Sequence, residues 1–150
     1  MANVLRKMNI VSRCAGMYRS EQLSNSEVVP FPHGLVIAIC RHPGRTQDQL
    51  SRHLCMNKSM ITRRLAQLEE HGYVTRVPGE SDKRVMQVYP TERLQELFPR
   101  VREIAKTWND AVTEGISEEE MQIFQSVLDR IAARSRELAG IPDDTEAETK

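Results

Sequence analysis

Four histidines (His33, His42, His53, His71) and three cysteines (Cys14, Cys40, Cys55) are the side chains of this 150-residue sequence best suited to hold a metal or attack an electrophile. Metal sites place such ligands at short recurrent spacings, such as CxxC, HxxxH or HExxH. None of these occurs here, and no histidine follows position 71. We therefore expect no metal and no cofactor. An odd cysteine count without CxxC also argues against a disulfide framework. No GxSxG, phosphate-binding glycine loop or paired catalytic constellation is present, so an enzyme is not expected.

A different chemistry is carried by residues 57–68. Asn57 is a good helix N-cap, and the spacing predicts a helix over about 58–71 that ends at Gly72. At 100° per residue, Leu65 and Leu68 lie within about 40° of Ile61, so these three face a core. Ser59, Arg63 and Ala66 then lie opposite, flanked by Thr62 and Gln67, with Asn57 and Lys58 at the tip. Short hydroxyls, one guanidinium and a small alanine suit a helix that lies close against a major groove. There arginine reads guanine, and serine or threonine addresses bases or phosphates. A helix N-terminus also favours phosphate near Asn57 and Lys58.

Flanking elements must hold that helix in place. Thr46-Gln47-Asp48-Gln49 forms a capping box for a short helix over about 47–53. Downstream, Tyr73–Val77 and Arg84–Tyr89 read as strands joined by the turn residues Pro78 to Asp82, giving a hairpin with a partly basic tip. Thr46 and Gln47 on the short helix, and Lys83 and Arg84 on the hairpin, complete the candidate DNA-contact set with Asn57, Lys58, Ser59, Thr62 and Arg63. Upstream, Val4, Met8, Val11, Ala15 and Tyr18 define one apolar stripe of a helix over 2–22. Ile10, Cys14 and Met17 define a second, which implies two packing partners. Ser24 to Ser26, Pro30 and Pro32 interrupt the pattern before a second helix, about 32–42. A long helix capped by Thr91 reaches about Glu114, and Gly115 ends it. A last helix follows the capping box Ser117–Glu120, with Met121, Phe124, Leu128, Ile131, Ser135 and Leu138 at three-four spacing. Residues 139–150 read as an acidic, disordered tail.

Composition agrees with this reading. Aromatic residues are only 5%, so the core must rest on Leu, Ile, Val, Met and Ala, which favours helices over a β-sandwich. The longest apolar run, residues 35–40, is far short of the roughly 20 residues of a membrane span. No apolar run follows Arg6 and Lys7, so no signal peptide is read and a cytoplasmic location is expected. Net charge is zero, but residues 1–40, 41–90 and 91–150 carry +2, +4 and −6. A basic middle and an acidic end suit a molecule that meets a polyanion with one face. The expected fold class is mainly α with a two-stranded β-wing, a winged helix-turn-helix with flanking dimerisation helices. The main rival is a helical protein-interaction adaptor that does not bind DNA. It accounts for the apolar stripes but not for a basic-tipped hairpin after a polar face.

The segments Asn57-Lys58-Ser59-Met60-Ile61-Thr62-Arg63-Arg64-Leu65, Leu68-Glu69-Glu70-His71-Gly72-Tyr73-Val74 and Ser81-Asp82-Lys83-Arg84 resemble the MarR family of bacterial transcriptional regulators. The resemblance covers about residues 1–138; Arg64 departs from it, standing where the family often has an apolar residue. It implies a winged helix over about 30–90, with helices over about 2–22 and 91–138 joining two copies into a homodimer of triangular outline. It implies a regulator, more often repressor than activator, on an inverted-repeat operator, with Arg84 in the minor groove. It also implies a pocket between the lobes for a small aromatic or phenolic effector, near Arg13, Tyr18, His33 and Arg102. Some relatives sense peroxide through a cysteine on the first helix, which makes Cys14 the alternative sensor.

Overall fold

The computed structural model describes residues 3–24 and 32–142. The breaks expected at Asn25, Ser26 and Pro30, and all but the first residues of the expected tail, lie outside them. Six helices and one hairpin follow in order: α1 (Val4–Leu23), α2 (His33–Arg41), α3 (Gln47–Leu54), α4 (Lys58–Glu70), β1 (Val74–Pro78), β2 (Met86–Pro90), α5 (Glu92–Val112) and α6 (Glu118–Ala139). Local chemistry sets most of these bounds. Thr46 and Ser117 both form complete capping boxes, and the side chains of Asn57 and Thr91 accept from the backbone N–H groups of Met60 and Leu94.

One core joins α2, α3, α4, the hairpin and α5. Leu35, Leu50, Ile61, Leu65, Leu94 and Val101 are fully buried in it, with Ile39, Val74 and Val88 packed alongside. The apolar face of α4 is the expected one, since Ile61, Leu65 and Leu68 are 0, 0 and 2% exposed. In contrast α6 buries no residue, and Ile123, Phe124, Val127 and Leu138 stand in the open.

The strands run Val74–Pro78 and Met86–Pro90 rather than Tyr73–Val77 and Arg84–Tyr89, and three shifted boundaries, one of them the end of the fifth helix, have a local reason. Tyr73 precedes β1 rather than opening it. Its N–H bonds the Leu68 carbonyl (2.8 Å) and that of Gly72 bonds Glu69 (2.9 Å), so the α4 C-terminal turn runs through Tyr73 and buries its ring. The second strand begins at Met86 rather than Arg84, because Val85 closes the wing tip through Gly79 N–H to Val85 O (2.7 Å) and Val85 N–H to Asp82 O (3.1 Å). The fifth helix stops at Val112, two residues before Glu114, where Thr113 bonds the Asn109 carbonyl with both its N–H and its hydroxyl.

The hairpin pairs antiparallel from Val74 opposite Pro90 to Pro78 opposite Met86. A third edge was not expected. Gly44 N–H donates to Val88 O (2.8 Å), Val88 N–H donates to Arg45 O (3.0 Å), and Thr46 bridges Gln87. The segment entering α3 is thereby stitched to the wing.

Candidate nucleic-acid interface

The angle between α3 and α4 is set by a tight turn at Cys55, a non-glycine residue in the left-handed region (φ 51°). Cys55 N–H bonds Arg52 O (3.2 Å), Met56 N–H bonds Ser51 O (3.0 Å), and the Ser51 hydroxyl donates to Met56 O (2.5 Å). These contacts offset the cost of a left-handed side-chain-bearing residue.

Four residues emerge together from the first turns of α4. The Ser59 hydroxyl donates to Asn57 Oδ1 (2.9 Å), which also accepts the Met60 N–H (2.8 Å). Lys58 Nζ lies 3.0 Å from Asp48 Oδ1 on α3. The Thr62 hydroxyl donates to Lys58 O (2.8 Å) and accepts from Gln47 Nε2. The Arg63 side chain is exposed and makes no hydrogen bond or ion pair with the described residues. Beside this face the wing carries exposed Lys83 and Arg84. Asp82 accepts from the Arg84 backbone N–H (3.0 Å) and from Nε (3.2 Å), which presets the arginine and holds the Asp82 carboxyl below its ordinary range. A groove of about 270 Å³ separates wing and helix, lined by Thr46, Gln47, Asp48, Arg84, Val85 and Met86. The nine residues expected to meet DNA therefore lie along the start of α3, the start of α4 and the wing tip. Asp48, an acid inside this face that orients Lys58, was missed by sequence reasoning. Its place in the first turn of α3 reads equally well as a helix-dipole partner.

The residues expected to bind an effector are placed less compactly. Tyr18 packs against Trp108 with ring centroids 5.3 Å apart. His33 is buried, with Nε2 2.9 Å from Val101 O, and desolvation lowers its pKa, helped by Arg19 and opposed by that hydrogen bond. Arg13 is exposed, and the Arg102 guanidinium sits 5.9 Å from the Phe98 ring centre. No hydrogen bond or ion pair joins any two of these four. A cavity of about 660 Å³ lies instead between α1, α5 and α6, walled by Ile10, Cys14, Trp108, Val112, Met121 and Phe124 among others. Cys14 and Cys55 are exposed, whereas burial pushes the Cys40 thiol up to about 11, so Cys40 stays protonated at neutral pH. Among the described residues no three His, Cys, Asp or Glu side chains cluster as metal ligands.

A helix-turn-helix whose second helix shows a polar face, followed by a hairpin wing, defines the winged helix-turn-helix class. Residues 34–86, from the second residue of α2 to the first residue of β2, match the model of the MarR family. An uncharacterised HTH-type transcriptional regulator of Bacillus subtilis (strain 168), YybA, is 20% identical over 131 residues, 87% of each chain. The transcriptional regulator SlyA superposes with a TM-score of 0.86 at 20% identity, over 91% of this chain and 96% of that one. A putative MarR family regulator from Listeria monocytogenes, solved with 26mer DNA, superposes with a TM-score of 0.84 at 19% identity, over 89% of each chain.

Proposed function

We propose that the protein is a sequence-specific transcriptional regulator that binds double-stranded DNA as a homodimer, acting as a cytoplasmic ligand-responsive repressor and not as an enzyme. One observation carries this reading: a single helix buries Ile61, Leu65 and Leu68 while presenting Lys58, Ser59, Thr62 and Arg63 outward beside a basic wing. A recognition helix needs that division, because the core side fixes its angle and the open side reaches base edges. The contact set is Thr46, Gln47, Asn57, Lys58, Ser59, Thr62, Arg63, Lys83 and Arg84, with α4 in the major groove and Arg84 in the minor groove.

The homodimer rests on α1 and α6. Ile123 is 67% exposed, Phe124 56% and Leu138 76%, and on α1 Val11 and Met17 are open too. An apolar face of that extent, on a helix that buries nothing in its own chain, suits a second copy. The two recognition helices would then face an inverted repeat.

Retention on random duplex DNA, measured against salt, tests the DNA reading. Counterion release makes binding fall steeply with salt, and a helical adaptor shows no retention at any salt. For effector control, aromatic carboxylates such as salicylate are titrated into the protein–operator complex, with wild type and with Arg13→Ala and Arg102→Ala. A pocket near Arg13, Tyr18, His33 and Arg102 predicts operator affinity roughly 5- to 150-fold weaker with ligand, and a smaller effect in both variants. Unchanged affinity throughout would turn attention to Cys14, which borders the α1–α5–α6 cavity.

A further inference from the structure

Hydrogen accounting on the reading face fixes the orientation of one amide. The Thr62 hydroxyl has one proton, and it goes to the Lys58 carbonyl at 2.8 Å, an atom that can only accept. Thr62 Oγ1 therefore meets Gln47 with lone pairs alone, and Gln47 must present its nitrogen. Rotating the amide by 180° would set Gln47 Oε1 against the Thr62 oxygen unless the hydroxyl gave up its bond to Lys58 O. The oxygen is thus held away from Thr62, and the second N–H of Nε2 lies beside it.

We infer that Gln47, locked by Thr62, is a specificity-determining residue that selects adenine over guanine at one position of each half-site. The inference rests on the DNA-binding reading above. An outward edge of one donor and one acceptor complements the N7 acceptor and N6 amino donor of adenine in the major groove. Guanine shows two acceptors there, N7 and O6, so Oε1 would face an oxygen. A free glutamine escapes this conflict by swinging Oε1 aside and offering Nε2 alone; Gln47 does not, because Thr62 holds its nitrogen. Gln47 touches the base, and Thr62 is a positioning residue. Both lie where a duplex can reach them: Thr62 is exposed on α4, and Gln47 borders the groove between α3 and the wing.

The test is selection from a random duplex library, followed by equilibrium binding to the selected site and to its single adenine-to-guanine changes. Wild type, Gln47→Ala, Thr62→Val and Thr62→Ser are compared. Wild type is expected to prefer adenine by about tenfold or more at one position per half-site. Gln47→Ala loses that preference and keeps those at other positions. Thr62→Val frees the side chain to swing Oε1 aside, so binding to the guanine site rises and the preference falls to within a few-fold. Thr62→Ser, which keeps the hydroxyl, retains it. Equal weakening on all sequences in Gln47→Ala would make Gln47 a phosphate contact and overturn the inference. Undiminished preference in Thr62→Val would overturn the lock. Failure of wild type to bind any duplex overturns the DNA reading and this inference together, whereas binding with unaltered preferences overturns this inference alone.

Discussion

Arg63 and Lys58 are neighbours on one helix but differ in what holds them. Arg63 has no partner among the described residues, so its guanidinium is available for a bidentate contact to guanine. Arg63→Ala should cost about 1–3 kcal/mol on the operator and relax preference at one position, as read by competition binding. Lys58 pairs with Asp48 in an exposed contact that itself contributes little. A phosphate can take the place of Asp48 there. Lys58→Ala should weaken all sequences alike and lower the salt slope by about one. A third residue-scale prediction concerns pH. Arg76 hydrogen-bonds Glu69 across α4 and β1 and holds the Glu69 carboxyl below its ordinary range. Because the folded value is the depressed one, the stabilisation is present above the unfolded carboxylate pKa and is lost as pH falls through the folded value. Glu69→Gln should flatten the acid limb of thermal stability between those two values and leave the neutral-to-basic limb unchanged.

Elements are fastened to one another at points that a sequence pattern reveals unevenly. The face of α4, the caps at Thr46, Asn57 and Ser117, and the pairing of the two strands were legible because each follows from a period or a short-range rule. The third edge of the wing was not. Three residues from Gly44 to Thr46 are too few to show alternation, and their partners lie some forty positions away. The left-handed turn at Cys55 was equally hidden, since cysteine carries no preference for it. The resemblance placed His33 near a pocket, and spacing could not show that its buried imidazole meets the Val101 carbonyl. Two measurements probe these joints. Gly44 has φ +86°, and a Cβ there would sit 2.9 Å from the Tyr89 hydroxyl oxygen. Gly44→Ala should destabilise the fold by about 1–2 kcal/mol in denaturant unfolding. At the other end of α3, Arg136 of α6 donates to the carbonyls of Arg52 (3.2 Å) and His53 (2.9 Å), closing the helix C-terminus. Arg136→Ala should speed amide exchange in the turn around Cys55 and Met56 while α4 exchange stays as in wild type.

At the scale of the whole molecule, net charge is zero but its distribution is not. The +4 of residues 41–90 lies with α3, α4 and the hairpin, and the −6 of residues 91–150 belongs to α5, α6 and the residues after them in sequence. For a protein that binds a polyanion through α4 and the wing, such a layout favours approach by those elements. The single chain leaves Ile123, Phe124, Val127 and Leu138 open; the three-four spacing named Phe124 and Leu138 among these, whereas Met121, Leu128 and Ile131, named with them, are half-buried. Leu128→Asp should shift sedimentation toward a monomer and weaken operator binding sharply, because one half-site holds poorly. Selection of bound duplexes from a random library by the purified protein, with sequencing of what is retained, tests the DNA-binding homodimer most directly. An enriched inverted repeat is expected, with half-sites about one helical turn, roughly 10 base pairs, apart, and Arg63→Ala should lose the enrichment at one position of each half. Retained pools as random as the input, or a single half-site with no two-fold partner, would contradict it.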